Sequence, residues 1–245
     1  MATTGQTSPP ASAEALTLFR GIHPREIPLY GLYEAARYLH LPATTLRSWV
    51  EGRTYSAGGQ AHFSEGLIKR PHASDPRLSF TNLVEAYVLR ALRTRHSVSM
   101  KDVRRARGYA EQEFGITRLF ISEKLLAAPG EVFLKEYGRL LSLSSAGQYA
   151  MGMVLERYLQ RVVRDLELLP VRLYPFVGSE EDSKQIIAID PRLSYGRPSL
   201  ASKGISTAIL AERVNGGEKP EDLASYYQVD QSDVEAALIY ETRAA

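Results

Sequence analysis

Cysteine is absent from the 245 residues, which excludes disulfides, cysteine-ligated zinc and thiol nucleophiles. Long apolar runs are missing too. Stretches such as Ile186-Ile187-Ala188-Ile189 are far shorter than the roughly 20 residues needed to span a bilayer. Residues 1–15 are mostly Ala, Thr, Ser, Pro and Gly, with neither an apolar core nor a basic start, and do not read as a signal peptide. The histidines His23, His40, His62, His72 and His96 fall at no metal-ligand spacing, and no helical His pair frames a Glu. No glycine loop ends in Lys-Ser/Thr to cradle a phosphate, and Gly58-Gly59 is a turn signal rather than a nucleotide fingerprint. The acidic cluster Glu180-Glu181-Asp182 lies in a polar linker stretch, where carboxylates stay solvated and ionised. These absences argue against an enzyme, and no metal or other cofactor is expected. A cytoplasmic protein is the simplest reading.

What remains is a globular balance of 44% hydrophobic and 24% charged residues. At roughly 100–200 residues per domain, the length suits two domains or three small modules. The formal charge of +2 hides an asymmetry: residues 1–120 carry 16 Lys and Arg against 10 Asp and Glu, whereas residues 121–245 carry 14 against 18. Within 69–107 the ratio is 10 to 3. Such a split implies different partners for the two ends. A basic N-terminal part suits a polyanion, because neutralised phosphates release counterions; the plainer alternative is solvated helix faces.

The pattern along the chain predicts a mainly α protein with small β elements, an α+β fold. Residues 1–26 read as a disordered tail. Leu32, Ala35, Ala36 and Leu39 recur at helical spacing, His40-Leu41-Pro42 breaks them, and a second helix runs from about Ala43 to Val50. Two short helices about a tight break form a helix-turn-helix, and the glycine- and proline-rich stretch 52–78 reads as a hairpin-like wing. Ser79-Phe80-Thr81 opens a long helix to about Arg95, and Ser99 with Asp102 caps another over about 100–114, stopped by Gly115. Residues 27–115 thus form one domain. In 116–182 the runs Leu119-Phe120-Ile121, Val132-Phe133-Leu134 and Leu140-Leu141-Ser142-Leu143 suggest an antiparallel meander. A helix from about Ala146 to Glu167 and a strand at Val171–Tyr174 follow. Residues 183–245 hold a short strand and three helices, the last two again joined by a tight turn at Gln228-Val229.

The candidate chemistry is recognition. The second N-terminal helix presents Thr44, Thr45, Arg47 and Ser48, side chains that suit a DNA major groove, while Leu46, Trp49 and Val50 face inward. Arg47 is the candidate for a guanine or phosphate, through its planar fork. Arg53, Lys69, Arg70 and Arg77 suit backbone phosphates, and Tyr55 could flank one. The alternative is a helical hairpin whose polar residues are simply exposed. The last helix carries Asp230, Asp233, Glu235 and Glu241 against Arg243, a face that repels phosphate and suits a protein partner, a self-contact or a purely structural core.

Gly31-Leu32-Tyr33-Glu34-Ala35-Ala36, Thr45-Leu46-Arg47, Leu78-Ser79-Phe80 and Val98-Ser99-Met100-Lys101-Asp102-Val103 together resemble the MerR-type winged helix over about residues 28–115. Ser48-Trp49 replaces the usual aromatic pair after the arginine, and the wing is longer than usual. The resemblance implies double-stranded operator DNA as partner and a two-fold homodimer. Ile189 through Pro198, with Asn215-Gly216-Gly217 and Leu238-Ile239-Tyr240, resembles a bacterial homeodomain-like domain of unknown function, number four-three-three, whose usual glycine-threonine-arginine step is altered here to Lys203-Gly204-Ile205.

The module order, with Leu83 through Arg93 and Leu141 through Gln148, resembles the VapB-forty-five type of antitoxin. That resemblance implies a type II antitoxin that represses its own operon and neutralises a PIN-like ribonuclease toxin. Such toxins use an acidic magnesium site, which an inserted Arg or Lys could block, so Arg192, Arg197 and Lys203 become candidate toxin-binding residues. The competing reading is a stand-alone transcription regulator that senses a small molecule. In it, Tyr137, Tyr149, Tyr158, Tyr174 and Phe176 line a pocket rather than a core.

Overall fold

The computed structural model describes residues 22–94, 99–122, 153–178 and 184–243. Among these residues the fold is α+β: eight helices and three two-stranded antiparallel pairs. Order starts earlier than residue 27. Pro24–Glu26 is a 3-10 turn whose Arg25 is buried and ion-paired with Asp165, so the end of the expected tail is part of the packed molecule.

Helices α1 (Leu32–Tyr38) and α2 (Ala43–Val50) form the predicted helix-turn-helix. The Glu34 carboxylate accepts the Gly31 N–H at 3.3 Å, satisfying a donor that the first turn cannot pair internally. His40, at φ 50, makes the turn, and the Leu41 N–H donates to Ala36 O at 2.9 Å. Strands β1 (Arg53–Ala57) and β2 (Gln60–Ser64) form the predicted hairpin. The pair Ala57↔Gln60 encloses Gly58-Gly59, at φ 59 and 79, which suits the right-handed strand twist and strongly favours glycine. Beyond it the chain returns tightly against α2: a Cβ on Gly66 would collide with the Val50 carbonyl.

Helix α3 (Phe80–Thr94) is the centre of the first core, with Leu83, Val84, Tyr87, Val88, Leu89 and Leu92 all buried. A helix buried on nearly every side needs partners all round, and α1, α2, the turn at Leu119–Ile121 and the strands after residue 160 supply them. Helix α4 (Met100–Phe114) has the predicted ends. The Ser99 hydroxyl accepts the Asp102 N–H at 3.1 Å, and Gly115 at φ 64 closes the helix.

The middle region departs from expectation. Leu119–Ile121 is a buried 3-10 turn, not a strand, because its three apolar side chains all pack inward, whereas a strand would turn alternate ones outward. The other two runs of the expected meander, 132–134 and 140–143, and the Glu180–Asp182 cluster lie outside the described residues. The expected helix to Glu167 ends sooner: α5 covers 153–159 among the described residues, then β3 (Val162–Arg164) pairs with β4 (Pro170–Leu173). The β-branched pair Val162-Val163 fits a strand, and Leu168 at φ 59 helps reverse the chain. Leu173 bridges Ile189, linking this hairpin to the C-terminal part.

There β5 (Ile187–Ala188) pairs with β6 (Ser199–Leu200), followed by α6 (Thr207–Asn215), α7 (Pro220–Tyr227) and α8 (Gln231–Arg243), the three predicted helices. Leu210, Leu223, Val234, Ala237 and Tyr240 give this module its own core. Ser206 stands at the N-cap of α6, but its side chain makes no capping bond.

Candidate nucleic-acid interface

Helix α2 buries Leu46 and Trp49 and turns Thr44 and Arg47 to solvent, with Thr45 and Ser48 half-buried at its edge. This is the division that the sequence spacing requires, since residues three apart share a face. The Ser48 hydroxyl donates to Thr45 O at 2.8 Å, which leaves its lone pairs free to accept. The Arg47 side chain is 63% exposed, and its Nε lies 3.9 Å from the Glu51 carboxylate, an exposed pair too weak to hold it against a phosphate or a base.

Beside α2 runs a groove of about 750 Å³ between that helix, the hairpin and the start of α4. Thr45 and Ser48 line one wall, Arg53 and Tyr55 another, and Arg93, Lys101 and Arg104 the third, with no carboxylate among the described lining residues. Tyr55 stacks on His62, ring centres 5.6 Å apart, so an aromatic edge stands at the rim. Burial and the neighbouring Arg53 charge push the Arg104 guanidinium below its ordinary value. Cations held this close without a carboxylate make a site that favours an anion. Arg93, Lys101 and Arg104 were not picked out from the sequence. The signal was present in the basic excess of 69–107 and in Lys101 and Arg104, three apart, just after the Ser99 cap.

The structure divides the other expected phosphate contacts. Arg53 joins the groove. Lys69 and Arg70 line a different concavity, together with Glu26, Glu85 and Arg107, and Lys69 lies 3.9 Å from Glu111. Arg77 gives its guanidinium to Asp75, at 3.0 and 2.7 Å, and that pairing holds the Asp75 carboxyl down at about 2.

The expected toxin-binding residues also separate. Arg192 donates to both Asp190 carboxylate oxygens at 3.0 and 2.8 Å, and Arg172 adds a third bond at 3.1 Å. Burial opposes ionisation of Asp190, yet these partners hold its pKa below the usual carboxylate value. Arg192 is therefore engaged in a structural pair. Arg197 and Lys203 are exposed, and Arg197 lines a cleft of about 700 Å³ between α1 and the C-terminal module. Of the aromatics proposed for a sensing pocket, Tyr158 and Phe176 are buried, 5.0 Å apart, in a cluster with Tyr87; Tyr137 and Tyr149 lie outside the described residues. Among the described residues no group of three or more His, Asp or Glu could hold a metal ion, and no helix is long and apolar enough to cross a membrane.

Comparison with known proteins adds to this geometry. Residues 28–107 match a family model described as "Putative DNA-binding HTH domain", and residues 187–240 match one described as "Protein of unknown function (DUF433)". Over 230 residues the chain is 30% identical to "Putative antitoxin VapB45" of Mycobacterium tuberculosis, covering 87% of this chain and 93% of that protein. The chain belongs to the VapB45 family. A second protein of that organism, the uncharacterised Rv2308, is 24% identical over 228 residues, covering 88% of this chain and 90% of its own. The crystal structure of Rv2018, also from Mycobacterium tuberculosis, shares the fold, with a TM-score of 0.63 at 24% identity over 86% of this chain and 97% of that one. Covering 87% of this chain, the match to VapB45 takes in residues of both matched segments, 28–107 and 187–240.

Proposed function

We propose that this protein is a type II antitoxin that represses its own operon through operator DNA and neutralises a PIN-like ribonuclease toxin by binding it. In this reading residues 27–115 are the DNA-reading head, with the β1–β2 hairpin as its wing. Residues 183–245 hold the toxin, and the molecule works as a cytoplasmic homodimer on an inverted repeat. The observation that carries the DNA part is the groove beside α2: the half-buried hydroxyls of Thr45 and Ser48 on one wall, four cationic side chains on the others, and no carboxylate among the described lining residues. Thr45 and Ser48 on the groove wall, with Thr44 and Arg47 outside it on the exposed face of α2, are the base-edge candidates, and Arg53, Arg93, Lys101 and Arg104 are the phosphate contacts. Lys69, Arg70 and Arg77 drop from that set because they face elsewhere or are paired.

Membership of the VapB45 family supports the antitoxin role. For the toxin side, exposed Arg197 and Lys203 remain the contacts, with Arg192 set aside as structural. The small-molecule sensor finds no support in the buried Tyr158–Phe176 cluster. Two assays test the proposal. In a gel shift at low ionic strength, the purified chain should retard its own promoter fragment and not a scrambled one. Co-expressed with the product of the adjacent gene, it should co-elute as a complex on size exclusion and abolish that product's ribonuclease activity. Indifference to the promoter removes the repressor role, and separate elution removes the toxin role.

A further inference from the structure

The turn between α1 and α2 is gripped from the far end of the chain. Helix α1 ends with carbonyls that its own ladder cannot pair. Two of them are satisfied from elsewhere: Arg90 of α3 donates to Leu39 O at 2.7 Å, and the Tyr240 hydroxyl of α8 donates to Tyr38 O at 2.7 Å. Tyr240 O lies 3.2 Å from His40 Nε2, and the two rings are 4.7 Å apart. One residue on, Glu241 accepts from Arg37 at 2.8 Å and from the Thr207 hydroxyl. Tyr240 is fully buried and the Glu241 side chain nearly so.

We infer that Tyr240 and Glu241 are positioning residues for DNA reading: from the C-terminal module they fix the α1–α2 turn, and with it the pose of α2 against the duplex. This rests on α2 being the reading helix. Helix α2 has only eight residues and Trp49 seats its C-terminal half, so the pose of its first turn depends on what holds the turn before it. Base contacts tolerate errors of only about 0.5 Å, whereas phosphate contacts through long Lys and Arg side chains are forgiving. Loosening the clamp therefore weakens specific binding and spares non-specific binding.

The test uses the full chain and fluorescence anisotropy with two duplexes of equal length, the promoter fragment and a scrambled one. Tyr240→Phe keeps the ring and removes the donor; Glu241→Gln removes the charge; Arg37→Glu with Glu241→Arg exchanges the pair. Tyr240→Phe, Glu241→Gln and Arg37→Glu alone should each lower promoter affinity about five- to tenfold, with scrambled-duplex affinity changed less than about twofold. The exchange should recover most of the loss caused by Arg37→Glu. The inference is overturned if the single variants bind the promoter like wild type, if affinity for both duplexes falls together, or if the exchange recovers nothing. A wild-type chain that fails to distinguish the duplexes instead overturns the assignment of α2.

Discussion

Two helix-turn-helix pairs among the described residues have closely similar turns, α1–α2 about His40 at φ 50 and α7–α8 about Gln228 at φ 54, and they put their second helices to opposite uses. Helix α2 keeps a polar face in solvent beside a groove walled by Arg53, Arg93, Lys101 and Arg104. Helix α8 turns Tyr240 and Glu241 into the first unit, and the exposed acids Glu221, Asp222, Asp230 and Glu235 cover the outer side of its pair. A shared backbone motif thus says little about partners. Which face is left uncovered, and the sign of the charge on it, decides.

The comparison can be broken most strongly in the N-terminal core. Trp49, 2% exposed, is the side chain by which α2 is seated, and Trp49→Ala should cost about 3–5 kcal/mol of stability in a denaturant melt and abolish promoter binding. A melt within about 1 kcal/mol of wild type would show that α2 is not anchored there. Next is Arg47→Ala, expected to cost about 1–3 kcal/mol of promoter affinity and to relax base preference while the melt stays unchanged, since the side chain is exposed.

On the C-terminal side the corresponding test is one of pH. Asp190, although buried, has its pKa depressed by Arg192 and Arg172, so its contribution is fully present above the unfolded value near 3.9 and is lost as pH falls through the folded one. Asp190→Asn should lower stability at neutral pH by about 1–3 kcal/mol and flatten the acid limb of the stability curve below about pH 4. An unchanged acid limb would mean that the pair is not formed. Smallest is Lys101→Ala, which should weaken promoter and scrambled duplex alike and reduce the salt slope by about 1. Arg77→Ala, whose guanidinium Asp75 already holds, should leave the slope as it is.

Much of this architecture was legible in the sequence, for identifiable reasons. The bounds Ala43–Val50, the hairpin about Gly58-Gly59, the Ser99 and Gly115 ends of α4 and the three C-terminal helices all follow from local rules of capping, periodicity and turn chemistry. The failures are tertiary. Leu119–Ile121 has the composition of a strand but sinks all its side chains into the core against α3. A helical pattern through Val162 gave way to pairing with a strand that begins at Pro170. Charge showed which part of the chain was basic, but not that Arg77 and Arg192 had carboxylates two residues away in sequence and in contact. The Tyr240–Tyr38 contact, 202 residues apart, has no local signature at all.

The most direct test of the contrast between the two units is hydrogen exchange of the full chain, alone and saturated with its promoter duplex. Protection should appear over 43–64 and at the start of α4, while 219–233, the acidic outer side of the second unit, exchanges as in the free protein. Protection of 219–233 with none over 43–64 would reverse the roles assigned here.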